Sequence, residues 1–194
     1  MLKSNYSGTL LEAGADEAGR GCLSGPVVAA AVILPEKFNH PLLNDSKQIS
    51  EKNRKILRLF IEEQAIAYGV AFVHEEEVDK INVLQASITG MHRAIAKLDT
   101  TPTFIIVDGN KFNPYPEIPH KTIIKGDAKY QSIAAASILA KTYRDDFMQK
   151  IDAEFPEYNW KKTKVTQLKN TETQFENMAL QGTTENHSNY FRNN

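Results

Sequence analysis

Apolar positions fall into two rhythms along this chain, and the two mark different elements. Leu10, Leu11, Ala13 and Ala15 read as a short strand that ends at Asp16 and Glu17. Val27–Leu34 (Val-Val-Ala-Ala-Ala-Val-Ile-Leu) is unbroken by charge and closed by Pro35. A run of that length and composition fits a strand buried on both faces better than a helix. Gly25-Pro26 turns the chain into it, so the first two strands are expected to form a hairpin. Ser50 is a good N-cap for a helix reaching about Gln64, with Ile56, Leu57, Phe60 and Ile61 on its inner face. Ala65–Val73 alternates as a third strand. Glu75, Glu76 and Glu77 open a short helix, where negative charge suits the N-terminal dipole, and they read as a solvated start instead of a metal site. Asn82–Leu98 carries Val83, Ile88, Met91, Ile95 and Leu98 at helical spacing. Phe104–Val107 and Lys121–Ile124 are two further strands, broken by Asp108-Gly109-Asn110 and by Lys125-Gly126-Asp127. A long helix follows, about Tyr130 to Ile151. Its alanines and serines would let it pack very close to a sheet or another helix.

Composition narrows the picture only slightly. The 194 residues are 41% hydrophobic and 24% charged with a net charge of −1, as in an ordinary globular domain. Nucleic-acid binding is not excluded at neutral charge, but it requires a local basic surface. The single cysteine, Cys22, rules out an internal disulfide and a cysteine zinc site. It reads as a small apolar residue beside a turn. The first twenty residues hold acids and glycines in place of a signal-peptide core, and Val27–Leu34 is too short to cross a bilayer. A cytoplasmic protein with no membrane association is expected.

The chemistry gathers at Asp16-Glu17-Ala18-Gly19-Arg20-Gly21. Neighbouring strand residues point to opposite faces, so both carboxylates address one site only if the strand twists, bulges or ends there. The glycines allow this and let backbone approach a ligand. Arg20 adds a planar cation suited to phosphate. Asp108 directly follows a buried strand, as Asp16 does, and Asp127 opens a helix after another. In α/β sheets ligands collect at strand ends beside helix starts, so Asp16, Glu17, Asp108 and Asp127 are expected to converge. Carboxylates about 4 Å apart repel by roughly 1 to 4 kcal/mol depending on the local dielectric. A protein tolerates that where divalent cations neutralise the cluster, and oxygen-only ligands favour Mg²⁺ or Mn²⁺ over zinc. Two such ions activate a water and stabilise the leaving oxygen of a phosphodiester. No serine nucleophile motif or P-loop competes, and the five scattered histidines read as structural or solvated.

These segments, together with Asn44-Asp45-Ser46-Lys47 and Ser132–Lys141, resemble bacterial ribonuclease HII in order and spacing over about residues 10 to 162. The resemblance implies an α/β fold of the RNase H type, a mixed five-stranded sheet with three antiparallel strands and then parallel ones, flanked by helices. It implies metal-dependent cleavage on the 5′ side of ribonucleotides in an RNA–DNA hybrid, or of one embedded in duplex DNA, leaving 3′-hydroxyl and 5′-phosphate ends. By that similarity Asp16, Glu17 and Asp108 hold the metals, and Asp127 completes the site. Gly19, Arg20 and Gly21 would sense the 2′-hydroxyl, the group that separates RNA from DNA, and grip adjacent phosphates. Lys47, Lys125 and Lys141 are candidates for backbone contacts. A monomer is expected.

After Lys162 the chain leaves the family pattern, so that residues 1–162 read as the catalytic domain and 163–194 as an aberrant, poorly ordered tail. The family continues N-K-G-Y-x-T, whose tyrosine stacks at the RNA–DNA junction. Here the chain reads Thr163-Lys164-Val165-Thr166. Back-translated with suitable synonyms and read from the third base, Lys162–Thr166 becomes N-K-G-Y-P, and the same offset restores a later H-R-x-S-F block. The tail is therefore read as an out-of-frame copy of the family C-terminus. Its loss leaves an alternative, a catalytically impaired remnant that still binds hybrid. Another two-metal nuclease, such as a 3′ exonuclease, is disfavoured by Gly-Arg-Gly directly after Asp-Glu.

Overall fold

The computed structural model describes residues 2–22, 25–43 and 49–156. The Asn44–Lys47 segment, with its candidate Lys47, lies outside the described residues, as does the 163–194 tail. Among the described residues five strands form one sheet: β1 (Glu12–Ala18), β2 (Val27–Ile33), β3 (Ala67–Val73), β4 (Phe104–Asp108) and β5 (His120–Ile123). Three helices flank it, α1 (Glu51–Gln64), α2 (Glu75–Ala96) and α3 (Gln131–Glu154), with a 3-10 turn at Gly126–Ala128 before α3. The spatial order is β3-β2-β1-β4-β5. β1, β2 and β3 pair antiparallel, while β4 runs parallel to β1 and β5 parallel to β4. This is the mixed sheet expected.

Period-two alternation assigns the two faces. On β2, Ala29, Ala31 and Ile33 join Ile88, Met91, Ala94 and Ile95 of α2 in one core. The intervening Ala30 and Val32 join Leu57 and Ile61 of α1 and Ala135, Ile138 and Leu139 of α3 in the other. Every residue of β2 is buried, because both faces are covered. Along β1, Ala13 and Ala15 face α2. The even positions Gly14 and Asp16 therefore face α3.

Several boundaries differ from the sequence reading. The first strand does not end before the acids: Asp16 and Glu17 lie inside β1, in regular antiparallel register with Ala30 and Ala29. What does end is the pairing on the other side, since the β1–β4 ladder stops at Ala15 opposite Val107. Ser50 caps α1, its Oγ accepting from the Asn53 amide at 3.3 Å. Ile56 is not on the inner face; it is 45% exposed, whereas Leu57 and Ile61, four residues apart, are buried. Asp127 sits in the 3-10 turn, not in the first turn of the helix itself. The predicted acidic helix start is only partly solvated, because both Glu75 carboxylate oxygens are buried. Among the described residues no helix is long and apolar enough to cross a membrane.

Candidate active site

The site forms where the sheet splits. Past Ala15 and Val107 the parallel ladder is over, so Asp16, the next residue of β1, and Asp108, the last residue of β4, stand at the mouth of a fork. A cavity of about 250 Å³ opens there. Asp16, Glu17, Asp108 and Asp127 all line it, as do Gly19, Arg20, Gly21 and Lys141. Four acids from three places in the chain are thus brought to one wall. Glu17 reaches it although its neighbour Asp16 points to the other face of β1, because by that point β1 has left β4 and keeps only β2 as partner. No bulge is needed.

Asp16 is 4% exposed and Asp127 2%. Burial, then the neighbouring Glu17, then Asp108 push the Asp16 carboxyl well above its ordinary range, while a hydrogen bond from Ser137 and the Lys141 charge act the other way. Glu17 is also pushed up by burial, against the pull of Arg20. The Arg20 guanidinium donates to Glu17 Oε1 at 3.0 Å. Asp16 Oδ1 accepts from the Glu17 amide at 2.7 Å, and Asp108 Oδ1 from the Gly126 amide at 2.6 Å. That last bond ties β4 to the turn that carries Asp127.

The donor set suits a hard divalent cation: buried, oxygen-only, and carrying more negative charge than its surroundings neutralise. Among the described residues, however, no three of these side chains are already closed around a single point as a metal cage. The local hydrogen bonds explain why. Asp16 turns an oxygen to the Glu17 amide, Glu17 to the Arg20 guanidinium and Asp108 to the Gly126 amide.

The candidate lysines separate. Lys141 lines the cavity, donating from Nζ to Ser137 Oγ at 2.9 Å. Lys125 is exposed in a left-handed turn (φ 55°, ψ 46°) and does not line the cavity. Arg144 and Asp145 also line the cavity and were missed by sequence reasoning. Both are buried, at 1% and 3% exposure, and Arg54 Nη2 lies 3.8 Å from Asp145. Their signal was a charged pair continuing the otherwise apolar, small-residue face of α3. Cys22 lines the cavity mouth, half-buried beside the loop.

The sequence model described as Ribonuclease HII matches residues 13–192. A ribonuclease HII from Christiangramia forsetii is 64% identical over 159 residues, which cover 82% of this chain and 80% of that protein. Among solved structures, the ribonuclease H2 of Pyrococcus horikoshii OT3 superposes with a TM-score of 0.66 at 30% identity, covering 76% of this chain and 78% of that one. Bst-RNase HIII, crystallised in complex with Mn²⁺, shares the fold with a TM-score of 0.60 at 21% identity, covering 76% of this chain and 56% of its own.

Proposed function

The chain belongs to the ribonuclease HII family and is a metal-dependent ribonuclease H, and from that premise we propose that it cuts on the 5′ side of ribonucleotides in RNA–DNA hybrids or of one embedded in duplex DNA. The carrying observation is that four acids from β1, β4 and the turn before α3 line one cavity with the Gly19–Gly21 loop. Asp16, Glu17, Asp108 and Asp127 would hold two divalent ions, Mn²⁺ or Mg²⁺. Bound there, such ions supply an activated water and stabilisation of the leaving oxygen in phosphodiester hydrolysis.

The protein's own groups do the rest. The Asp108–Gly126 bond fixes the spacing between the β4 and pre-α3 carboxylates. Ser137, donating to Asp16 and accepting from Lys141, holds one carboxylate against α3. Arg20 is 48% exposed at its side chain and turns its guanidinium over Glu17, from where it reaches a phosphate at the cavity mouth. A Cβ on Gly21 would meet nothing within 4 Å, so its bare backbone leaves room for a sugar at close range, which supports the reading of the Gly19–Gly21 loop as the 2′-hydroxyl sensor. Lys141, which lines the cavity, would contact the nucleic-acid backbone. Lys125 would make one only outside the cavity.

The test is a closed circular duplex carrying one ribonucleotide, incubated with Mn²⁺. Nicking that leaves 3′-hydroxyl and 5′-phosphate ends is expected, with Asp108→Asn at least about a hundredfold slower, as for loss of a group that stabilises transition-state charge. Nicking of an all-DNA circle at the same rate would sink the proposal. A second reading, an impaired hybrid-binding remnant, is favoured by the missing tyrosine after Lys162. It predicts binding of the ribonucleotide duplex without nicking.

A further inference from the structure

Among the described residues the largest fully buried side chain is a cation, Arg144 on α3. Its Nε donates to the carbonyl of Pro26, where the chain enters β2, at 3.0 Å. The same side chain lies directly under two glycines. A Cβ added to Gly19 would come within 2.7 Å of Arg144 Nε, and one added to Gly25 within 3.0 Å of Nη2. Both glycines take positive φ, 106° and 84°. One planar group therefore supports the stem of the Gly19–Gly21 loop and the start of the next strand together. Glu75, the first residue of α2, has both carboxylate oxygens buried and without a hydrogen-bond partner among the described residues. The Arg144 charge lowers the Glu75 carboxyl against the rise that burial imposes.

We infer that Arg144, opposed by Glu75, is a positioning residue for ribonucleotide recognition: its guanidinium holds the Gly19–Gly21 loop at the height from which the loop meets a sugar hydroxyl. The inference rests on the reading of that loop given above and extends it to two residues on other elements. An arginine is required because the work is done by a rigid fork. Nε–H bonds the Pro26 carbonyl while Nε lies against Gly19 and Nη2, beside Met148 Sδ, against Gly25. A lysine retains the charge but has no Nε–H at that position and no flat face.

The test uses the full-length protein with Ca²⁺ replacing the active metal, so that binding is read without cleavage. Affinity is measured for a duplex with one ribonucleotide and for the all-DNA duplex of the same sequence. Arg144→Lys is expected to lower the preference for the ribonucleotide duplex at least tenfold, with all-DNA affinity and calorimetric Mn²⁺ affinity within twofold of wild type. Glu75→Gln, which keeps the shape and removes the charge, is expected to lower the preference several-fold in the same direction. It decides the matter should Arg144→Lys not fold. A folded variant with wild-type preference overturns the inference, and so does an equal loss on both duplexes, which marks a plain backbone contact. A wild-type protein that itself shows no preference contradicts the underlying reading of the loop, and is thereby told apart from a failure of Arg144 alone.

Discussion

Glu12 and Asp16 are both buried, lie four residues apart on β1 and share its α3-facing side. Their fates differ because of what surrounds them. The Glu12 carboxylate accepts from the amides of Tyr6 at 3.0 and 3.1 Å and of Ser7 at 2.6 Å, and pins the N-terminal segment to the strand. Asp16 faces Glu17 and Asp108, against which stand a single amide, that of Glu17, together with Ser137 and Lys141. A buried carboxylate so placed works against folding until a cation arrives. Asp16→Asn should therefore stabilise the metal-free protein by on the order of 1 kcal/mol. Mn²⁺, which should raise the melting temperature of the wild type, should barely move that of the variant. Thermal melts with and without Mn²⁺ check both; a variant melting below the metal-free wild type refutes the account.

At the level of elements, the small residues of α3 decide how near the acids come to one another. The helix sits so close to β1 that a Cβ on Gly14 would lie 2.3 Å from the Ser132 carbonyl carbon and 2.4 Å from the Ile133 amide. Those are backbone atoms and cannot swing aside. Gly14→Ala is expected to cost about 1–3 kcal/mol in denaturant unfolding. It should also weaken Mn²⁺ affinity, because displacing α3 moves Ser137 and Lys141 from Asp16. An alanine variant as stable as the wild type would show that α3 packs less tightly than described. α2 makes the complementary point. The sequence reads as two helices meeting at Asn82, and α2 is two helical segments joined at a kink there, where Asn82 leaves helical geometry (φ 65°, ψ 162°). Asn82 Oδ1 accepts from the amides of Leu84 and Gln85 at 3.0 and 3.1 Å, as an N-cap does. Glu77 and Arg93 span the kink through two bonds of 2.7 Å.

For the whole molecule, the site depends on a mixed sheet in which β1 continues past β4. The antiparallel partner β2 carries Asp16 and Glu17 onward while the parallel partner stops, and the space left between them is the cavity. The 163–194 tail, read from the sequence as an out-of-frame family C-terminus, lies outside the described residues. Replacing residues 163–194 by the family-like tail read in the shifted frame should restore an aromatic at the junction. Stacking on an aromatic contributes roughly 1–3 kcal/mol per base, so cleavage of a single embedded ribonucleotide should rise about ten- to a hundredfold. An unchanged kcat/KM would refute that reading of the tail.

Hydrophobic period alone was enough to place the buried strand at Val27, the capped helix after Ser50 and the small-residue helix α3, since burial and capping act over a few residues. The four acids were legible too, because each adjoins a strand end or turn. Tertiary structure decided what depends on residues far apart in the chain. It set where β1 loses its parallel partner, which buried carboxylate stands among other acids, and which of Lys125 and Lys141 faces the cavity. It also put Arg144, 125 residues after Gly19 in the numbering, beneath that glycine. A linear pattern records whether a residue prefers to be buried; only the packed chain determines what it is buried against.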